Sequence, residues 1–191
     1  MNAPLLHLLV VDTETGGLDP AVHCIIEIAA AHVTIEGWVV TVHDRFNART
    51  LPDRAVDPQA AAVNGYTPER WADTALPMRA AIGDFLAWIA ELPEGLIWTG
   101  SNVTGFDLPF LSSDFARAGF VLPGKPQFSR RKLNTESLCF PLFAKGEIEG
   151  CGLRHLRKWA GLEGEQHHTA MQDVDDTVVV IREFFGREVR P

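Results

Sequence analysis

The chain has 191 residues, enough for one domain with a sizeable core, since chains of this size bury roughly 70% of the surface they expose when unfolded. Hydrophobic residues make up 46% and charged residues 22%, which excludes disordered, collagen-like and low-complexity architectures. The net charge of −8 argues against a protein that coats nucleic acid non-specifically, since such domains are usually basic, but does not exclude an enzyme whose acidic residues hold metal ions.

No apolar run approaches the ~18 residues that cross a bilayer. The opening stretch MNAPLLHLLVVD lacks a basic start and runs into a charged motif, so it does not read as a signal peptide. Cys24, Cys139 and Cys151 are odd in number and form no C-x-x-C, which fits a reduced compartment rather than a disulfide framework or a zinc site. The expectation is a soluble cytoplasmic protein, not associated with membranes, in which residues 1–191 form a single domain.

Leu5 to Val11 is a continuous apolar run ending at Asp12, as in a buried strand. Turn residues follow from Thr15 to Pro20, then Ile25 to Ile35 and Trp38 to Phe46 flank Glu36-Gly37 as a hairpin, giving three consecutive strands. A short helix is expected at Pro58 to Val63. Ile82, Phe85, Leu86 and Ile89 recur at helical spacing, which predicts an amphipathic helix from Met78 to Leu92. Leu96 to Thr99 reads as a short strand and Leu108 to Ala118 as a helix closed by Gly119. Leu133 to Cys139 fits strand or helix equally. Gly152 to Ala160 is helical, and Val174, Val178, Ile181 and Phe185 mark a closing helix that Gly186 is expected to end. The whole predicts an α/β fold, a mixed sheet with helices packed on its faces.

Asp12 and Glu14 lie two apart at a strand end, so both carboxylates point to one face and can reach one cation. Solvated surface acids often show the same spacing, but here the pair ends an apolar buried strand, where an unpaired charge is costly. Asp107 stands where a strand has ended and a helix begins, a position that also suits an N-cap aspartate. His168 and Asp173 would lie about 140° apart on a regular helix. They converge only if His168 sits in the preceding loop, which Gly161, Gly164 and the polar run from Glu163 to His167 allow. An exposed histidine pair followed by a first-turn acid is the plainer alternative.

Taken together, Asp12-Thr13-Glu14-Thr15, Gly105-Phe106-Asp107 and His168 with Asp173 resemble the three exonuclease motifs of the DnaQ-like DEDDh family, in order and over nearly the whole chain. Ile26-Glu27-Ile28, Val63-Asn64-Gly65-Tyr66-Thr67, and Leu153, Leu156, Gly161 and Leu162 are similar to lesser family features. Asn102 stands five residues before Asp107, where many members have it four before, and Asn134-Thr135 replaces the usual Asp-Thr.

The resemblance implies a ribonuclease-H-like fold, a mixed five-stranded sheet with helices on both faces, and removal of nucleoside monophosphates in the 3′ to 5′ direction. It assigns two divalent cations, Mg²⁺ or Mn²⁺, to Asp12, Glu14, Asp107 and Asp173, with Asp12 bridging; oxygen-only ligands favour these hard ions. His168 becomes the general base, preferred over His167 because Ala170 follows it by two and Asp173 by five. The terminal nucleotide would lie against Thr13, Thr15, Gly16, Gly17 and Leu18, with Asn64, Tyr66, Asn102 and Phe106 beside it; Phe106 and Tyr66 also read as core aromatics. Basic clusters at Lys125 with Arg130–Lys132, and at Arg154 with Arg157 and Lys158, are candidate backbone contacts as well as ordinary solvated faces.

The expected partner is a single-stranded DNA or RNA 3′ end, with DNA favoured because the first motif looks more like the proofreading type. An exoribonuclease trimming short RNA or RNA 3′ tails is the alternative. An inert binding module is disfavoured because all four carboxylates and the histidine are present. A polymerase partner is compatible with the family, although the chain ends just past the closing helix and reads as a stand-alone enzyme.

Overall fold

A computed structural model describes residues 3–164 and 169–187. Three long strands open the chain: β1 (Leu5–Thr15), β2 (Ile25–Glu36) and β3 (Val39–Leu51). They pair antiparallel, Leu5 opposite Glu36 and Glu36 opposite Val39. Gly37 makes the hairpin turn at φ 57°, in the left-handed region that glycine enters without penalty.

Two short helices follow, α1 (Pro58–Asn64) and α2 (Pro68–Ala72). Each begins with proline at a position where the missing N–H costs nothing, and each is capped by a side-chain oxygen, from Asp57 and Thr67 respectively. Beyond them lie β4 (Ala75–Pro77), α3 (Met78–Ala90), β5 (Leu96–Gly100) and α4 (Asp107–Arg117), then β6 (Phe128–Asn134), α5 (Thr135–Ala144), α6 (Leu153–Trp159) and α7 (Ala170–Arg187).

The sheet runs β4-β3-β2-β1-β5-β6, with β5 parallel to β1, β6 parallel to β5 and β4 parallel to β3. It therefore has six strands rather than the expected five. The additional one, β4, is three residues long and ends in Pro77, too short for any alternation to register. The ambiguous stretch from Leu133 to Cys139 straddles a boundary, since β6 ends at Asn134 and α5 starts at Thr135. Helix α7 runs through Gly186 to Arg187, so that glycine does not stop it.

Alternation along β1 sorts its side chains between two cores. Leu9 and Val11 pack with Ile82, Phe85 and Ile89 of α3 and with Phe110 and Phe115 of α4. Leu8 and Val10 pack with Val174, Val178 and Ile181 of α7. Helices thus cover both faces, each fully buried aliphatic or aromatic side chain contributing about 1.5–3 kcal/mol. β2 is buried on both faces over eleven consecutive residues, as a central strand between two helical layers must be. Among the described residues, no helix is long and apolar enough to cross a membrane.

Candidate active site

The two-residue alternation of β1 continues past its apolar run. Asp12 and Glu14 therefore face α7, on the side of Leu8 and Val10, while Thr13 and Thr15 face α4, on the side of Leu9 and Val11. Asp173 lies in the first turn of α7, its backbone N–H donating to Thr169 O at 3.1 Å. Carboxylate oxygens of Asp12, Glu14 and Asp173 all lie within 4.8 Å of one another. Asp107 approaches from the opposite side. It is the first residue of α4 and does not cap that helix; instead its Oδ1 accepts hydrogen bonds from Thr13 N at 2.9 Å and Thr13 Oγ1 at 2.8 Å. Four carboxylates thus gather around the end of one strand. His168 lies outside the described residues.

This crowding disfavours negative charge. Burial holds the Asp12 carboxyl well above its ordinary range, and Asp107, Asp173, Glu14 and Glu27 reinforce the effect. Burial, with Asp173, Glu27 and Asp107, pushes Glu14 up to about 7. Asp107 is raised to about 7 by burial, against the two Thr13 hydrogen bonds that pull it down. Among the described residues, Asp12, Glu14 and Asp107 form no ion pair with lysine or arginine. Converging, mutually repelling oxygen donors suit a hard divalent cation, which would draw off their protons and cancel their repulsion.

Beside the carboxylates lies a groove of about 460 Å³ whose walls include Thr13, Glu14, Thr15, Gly17, Leu18, Asn64 and Phe106. Leu18 stands 85% exposed at its edge, unlike a core leucine. Gly17 packs against the His23 ring, which a Cβ at Gly17 would meet at 2.5 Å and displace. Asn64 is buried and works on the protein itself: its Nδ2 donates to Thr15 O at 3.1 Å and its Oδ1 accepts from Tyr66 N at 3.0 Å. Phe106 lines the groove while its ring sits 5.1 Å from that of Phe110.

The other three expected contacts, Gly16, Tyr66 and Asn102, make their contacts within the chain itself. Gly16 backs onto Val56 and is tied by Gly16 N to Cys24 O at 2.8 Å and by Asp57 N to Gly16 O at 2.7 Å. Tyr66 packs edge-on against Trp71, ring centres 5.2 Å apart. Asn102 adopts φ 53° and its carbonyl accepts from Gly105 N and Phe106 N, each at 3.0 Å. It shapes the turn that delivers Asp107.

Two further buried acids lie around the site. Glu27 is 2% exposed, directly opposite Glu14 in the β1–β2 register and 3.8 Å from Arg49. The signal was an acid within the apolar run Ile25 to Ala31. Asp114 is fully buried; its Oδ2 accepts from Ile25 N at 2.7 Å, and its Oδ1 accepts from Arg54 Nη2 at 2.8 Å and from Arg117. Arg117 also reaches Pro20 O at 3.2 Å and His23 O at 3.3 Å, so the network pins the loop containing Gly17 and Leu18 onto α4. Asp114 follows Asp107 by seven, two helical turns along the same face, and that spacing was readable.

A family model described as RNase_T, Exonuclease, matches residues 9–181. The chain is 28% identical over 169 residues to the PolC-type DNA polymerase III of Oceanobacillus iheyensis, covering 88% of this chain and 11% of that protein. It is 26% identical over 197 residues to ribonuclease T of Salmonella typhimurium, covering 94% of this chain and 84% of that one. The fold is similar to that of E. coli exonuclease I in complex with a 5cy-dT13 oligonucleotide, with a TM-score of 0.75 and 18% identity, covering 96% of this chain and 41% of that chain. The chain therefore spans about a tenth of the polymerase relatives it matches and most of ribonuclease T.

Proposed function

The chain belongs to the exonuclease family matched over residues 9–181, and from that premise we propose that it hydrolyses single-stranded nucleic acid from the 3′ end, DNA in preference to RNA, releasing nucleoside monophosphates. The observation that carries this reading is the convergence of Asp12, Glu14 and Asp173 within 4.8 Å beside a groove of about 460 Å³.

Asp12, Glu14, Asp107 and Asp173 would hold two Mg²⁺ or Mn²⁺ ions. When bound, such a pair neutralises charge on the phosphoryl oxygens and lowers the pKa of the attacking water. The chain's own groups do the rest. Thr13 orients Asp107 through two hydrogen bonds. Leu18 wedges against the terminal base and Phe106 stacks on it, aromatic stacking being worth about 1–3 kcal/mol per base. Backbone groups from Thr15 to Leu18 meet the terminal sugar and phosphate. His168 accepts the proton of the water whose oxygen bonds to phosphorus, and the bond from phosphorus to the 3′ oxygen of the shortened strand breaks. That oxygen takes its proton from solvent.

An exoribonuclease is the second reading, favoured by the 84% of ribonuclease T that the chain covers. Single-stranded DNA as a partner draws support from the oligonucleotide held by E. coli exonuclease I. Both readings are tested by degrading 5′-labelled single-stranded DNA, single-stranded RNA and duplex DNA with Mg²⁺, Mn²⁺ or chelator, beside Asp12→Ala. A metal-dependent ladder shortening from the 3′ end, absent in the variant, is expected, and the preferred strand decides between the readings. No cleavage of any strand with either metal would overturn both.

A further inference from the structure

A second groove, of about 460 Å³, opens on the other side of the first turn of α4. Trp98 and Phe128 form its floor, stacked with ring centres 4.1 Å apart and planes 3° from parallel. Leu108, Lys125, Arg130 and Lys132 also line it. The three cations are exposed, and none makes an ion pair among the described residues.

The chain as a whole carries a net charge of −8. Arg45, Arg49, Arg54, Arg117, Arg157 and Lys158 all lie against acids. The second basic cluster noted in the sequence is thereby reduced, since Arg157 is buried against Asp176 and Lys158 lies 3.7 Å from Glu149. Among the described residues, the β6 strand and Lys125 beside it bring several cations without an ion pair side by side.

Its position relative to the carboxylates is fixed by the sheet. β1, β5 and β6 are consecutive, so β6 lies two strand spacings, about 10 Å, from β1. Lys132 is opposite Trp98 in register, which puts it on the α4 side of the sheet, the side of Thr13 and Asp107. Asn134, at the end of β6, accepts from Thr104 N at 3.2 Å and donates to Thr104 Oγ1 at 2.7 Å, locking β6 to the turn that enters α4. Phe106 lines the first groove and Leu108 the second, so Asp107 stands in the chain between a wall residue of each.

We propose that the groove of Leu108, Lys125, Arg130 and Lys132 is the track for the phosphodiester backbone of a single strand upstream of its 3′-terminal nucleotide, and that it sets the preference for long over short substrates. The proposal rests on the exonuclease reading for its direction along the strand. The groove's rings are almost wholly buried, Trp98 at 3% and Phe128 at 2% exposed, so it presents charge rather than stacking faces to a ligand. Contact would be made to phosphates and be independent of sequence.

The test compares wild type with the double variant Arg130→Glu, Lys132→Glu, whose exposed positions carry no core contact. Two readouts are taken: kcat/KM on an oligothymidylate of about twelve nucleotides relative to a dinucleotide, and the salt dependence of twelve-mer binding in chelator, where cleavage is absent. The long-to-short ratio is expected to fall at least about tenfold. The slope of log affinity against log salt should shrink by about 1.4, two phosphate contacts at about 0.7 each for single strands. An unchanged slope and ratio, or an equal fall with Arg154→Glu, would overturn the proposal. If wild type bound the twelve-mer with the steeper slope yet cleaved nothing, the exonuclease reading would fail and the track would stand.

Discussion

Thr13 and Asp107 lie 94 positions apart in the chain, yet Asp107 Oδ1 takes both the backbone N–H and the hydroxyl of Thr13, at 2.9 and 2.8 Å. One carboxylate oxygen is thereby fixed from the α4 side of a strand whose own acids point to the other side. Thr13→Val removes the hydroxyl bond and keeps the backbone one, a charge-assisted loss of roughly 1.5–3 kcal/mol. Titration calorimetry should show Mn²⁺ affinity weakened at least about tenfold with circular dichroism unchanged. Wild-type affinity would mean that the backbone bond alone orients Asp107.

The raised carboxyls make a signed prediction about pH. Glu14 titrates at about 7 in the folded protein against 4.5 as an isolated side chain, and Asp12 and Asp107 are displaced in the same direction. Between those limits the folded state holds more protons than the unfolded state, so these groups make metal-free stability fall as pH rises. A divalent cation has fewer protons to displace at higher pH. The rise in melting temperature on adding saturating Mg²⁺ should therefore be larger at about pH 8 than at about pH 5. An equal rise at both would show that the ion does not bind through these carboxylates.

Leu18 separates binding from folding. At 85% exposed, its truncation to alanine falls among surface changes worth within about 0.5 kcal/mol of stability. Urea denaturation of Leu18→Ala should overlay wild type while kcat/KM on single strands falls about fivefold or more. Unaltered kinetics would remove Leu18 from the substrate groove.

Asp114 should behave in the opposite way. Its removal strands two arginines and the Ile25 N–H that it now accepts. Breaking a buried pair from one side costs about 3–5 kcal/mol, with Arg54 and Arg117 partly open to water placing the loss at the lower end. Asp114→Ala should shift the urea midpoint accordingly, and proteolysis should begin in residues 16–24. Wild-type stability would show that the loop is held without it.

His168→Ala should lose about 10²- to 10⁴-fold in turnover, the range for a general base, while binding a single strand as wild type does. Full activity would pass the role to another group.

Much of this architecture is legible in the sequence because apolar period and strand ends coincide with it. The run from Leu5 to Val11 is β1 up to the first carboxylate, and Val174, Val178 and Ile181 are the side chains with which α7 covers it. β4 leaves no trace because three residues cannot display a period. β6 is hidden because Ser129 to Lys132 interrupts any alternation with polar groups on the sheet edge. At the candidate site, the grouping of Asp12, Glu14 and Asp173 follows from their places on β1 and α7. The latch between Thr13 and Asp107 does not, since an aspartate at a helix start suits a capping bond just as well and only the tertiary approach of β1 decides. Asn64, Tyr66 and Asn102 show the same limit: each is committed to hydrogen bonds or ring contacts within the chain that sequence spacing does not reveal.

β6 is also an outermost strand of the sheet, with one row of backbone N–H and C=O groups left without a neighbouring strand. An edge of this kind templates pairing with any extended chain, including another copy of itself. Arg130, Arg131 and Lys132 stand consecutively along it, so two such edges brought together would set like charges against each other at the middle of the strand. The cations that would guide a polyanion thus also act as gatekeepers against fibrillar stacking. Neutralising them to weaken nucleic-acid binding would leave a smoother, stickier border, and solutions of that variant should cloud at concentrations where the parent stays clear.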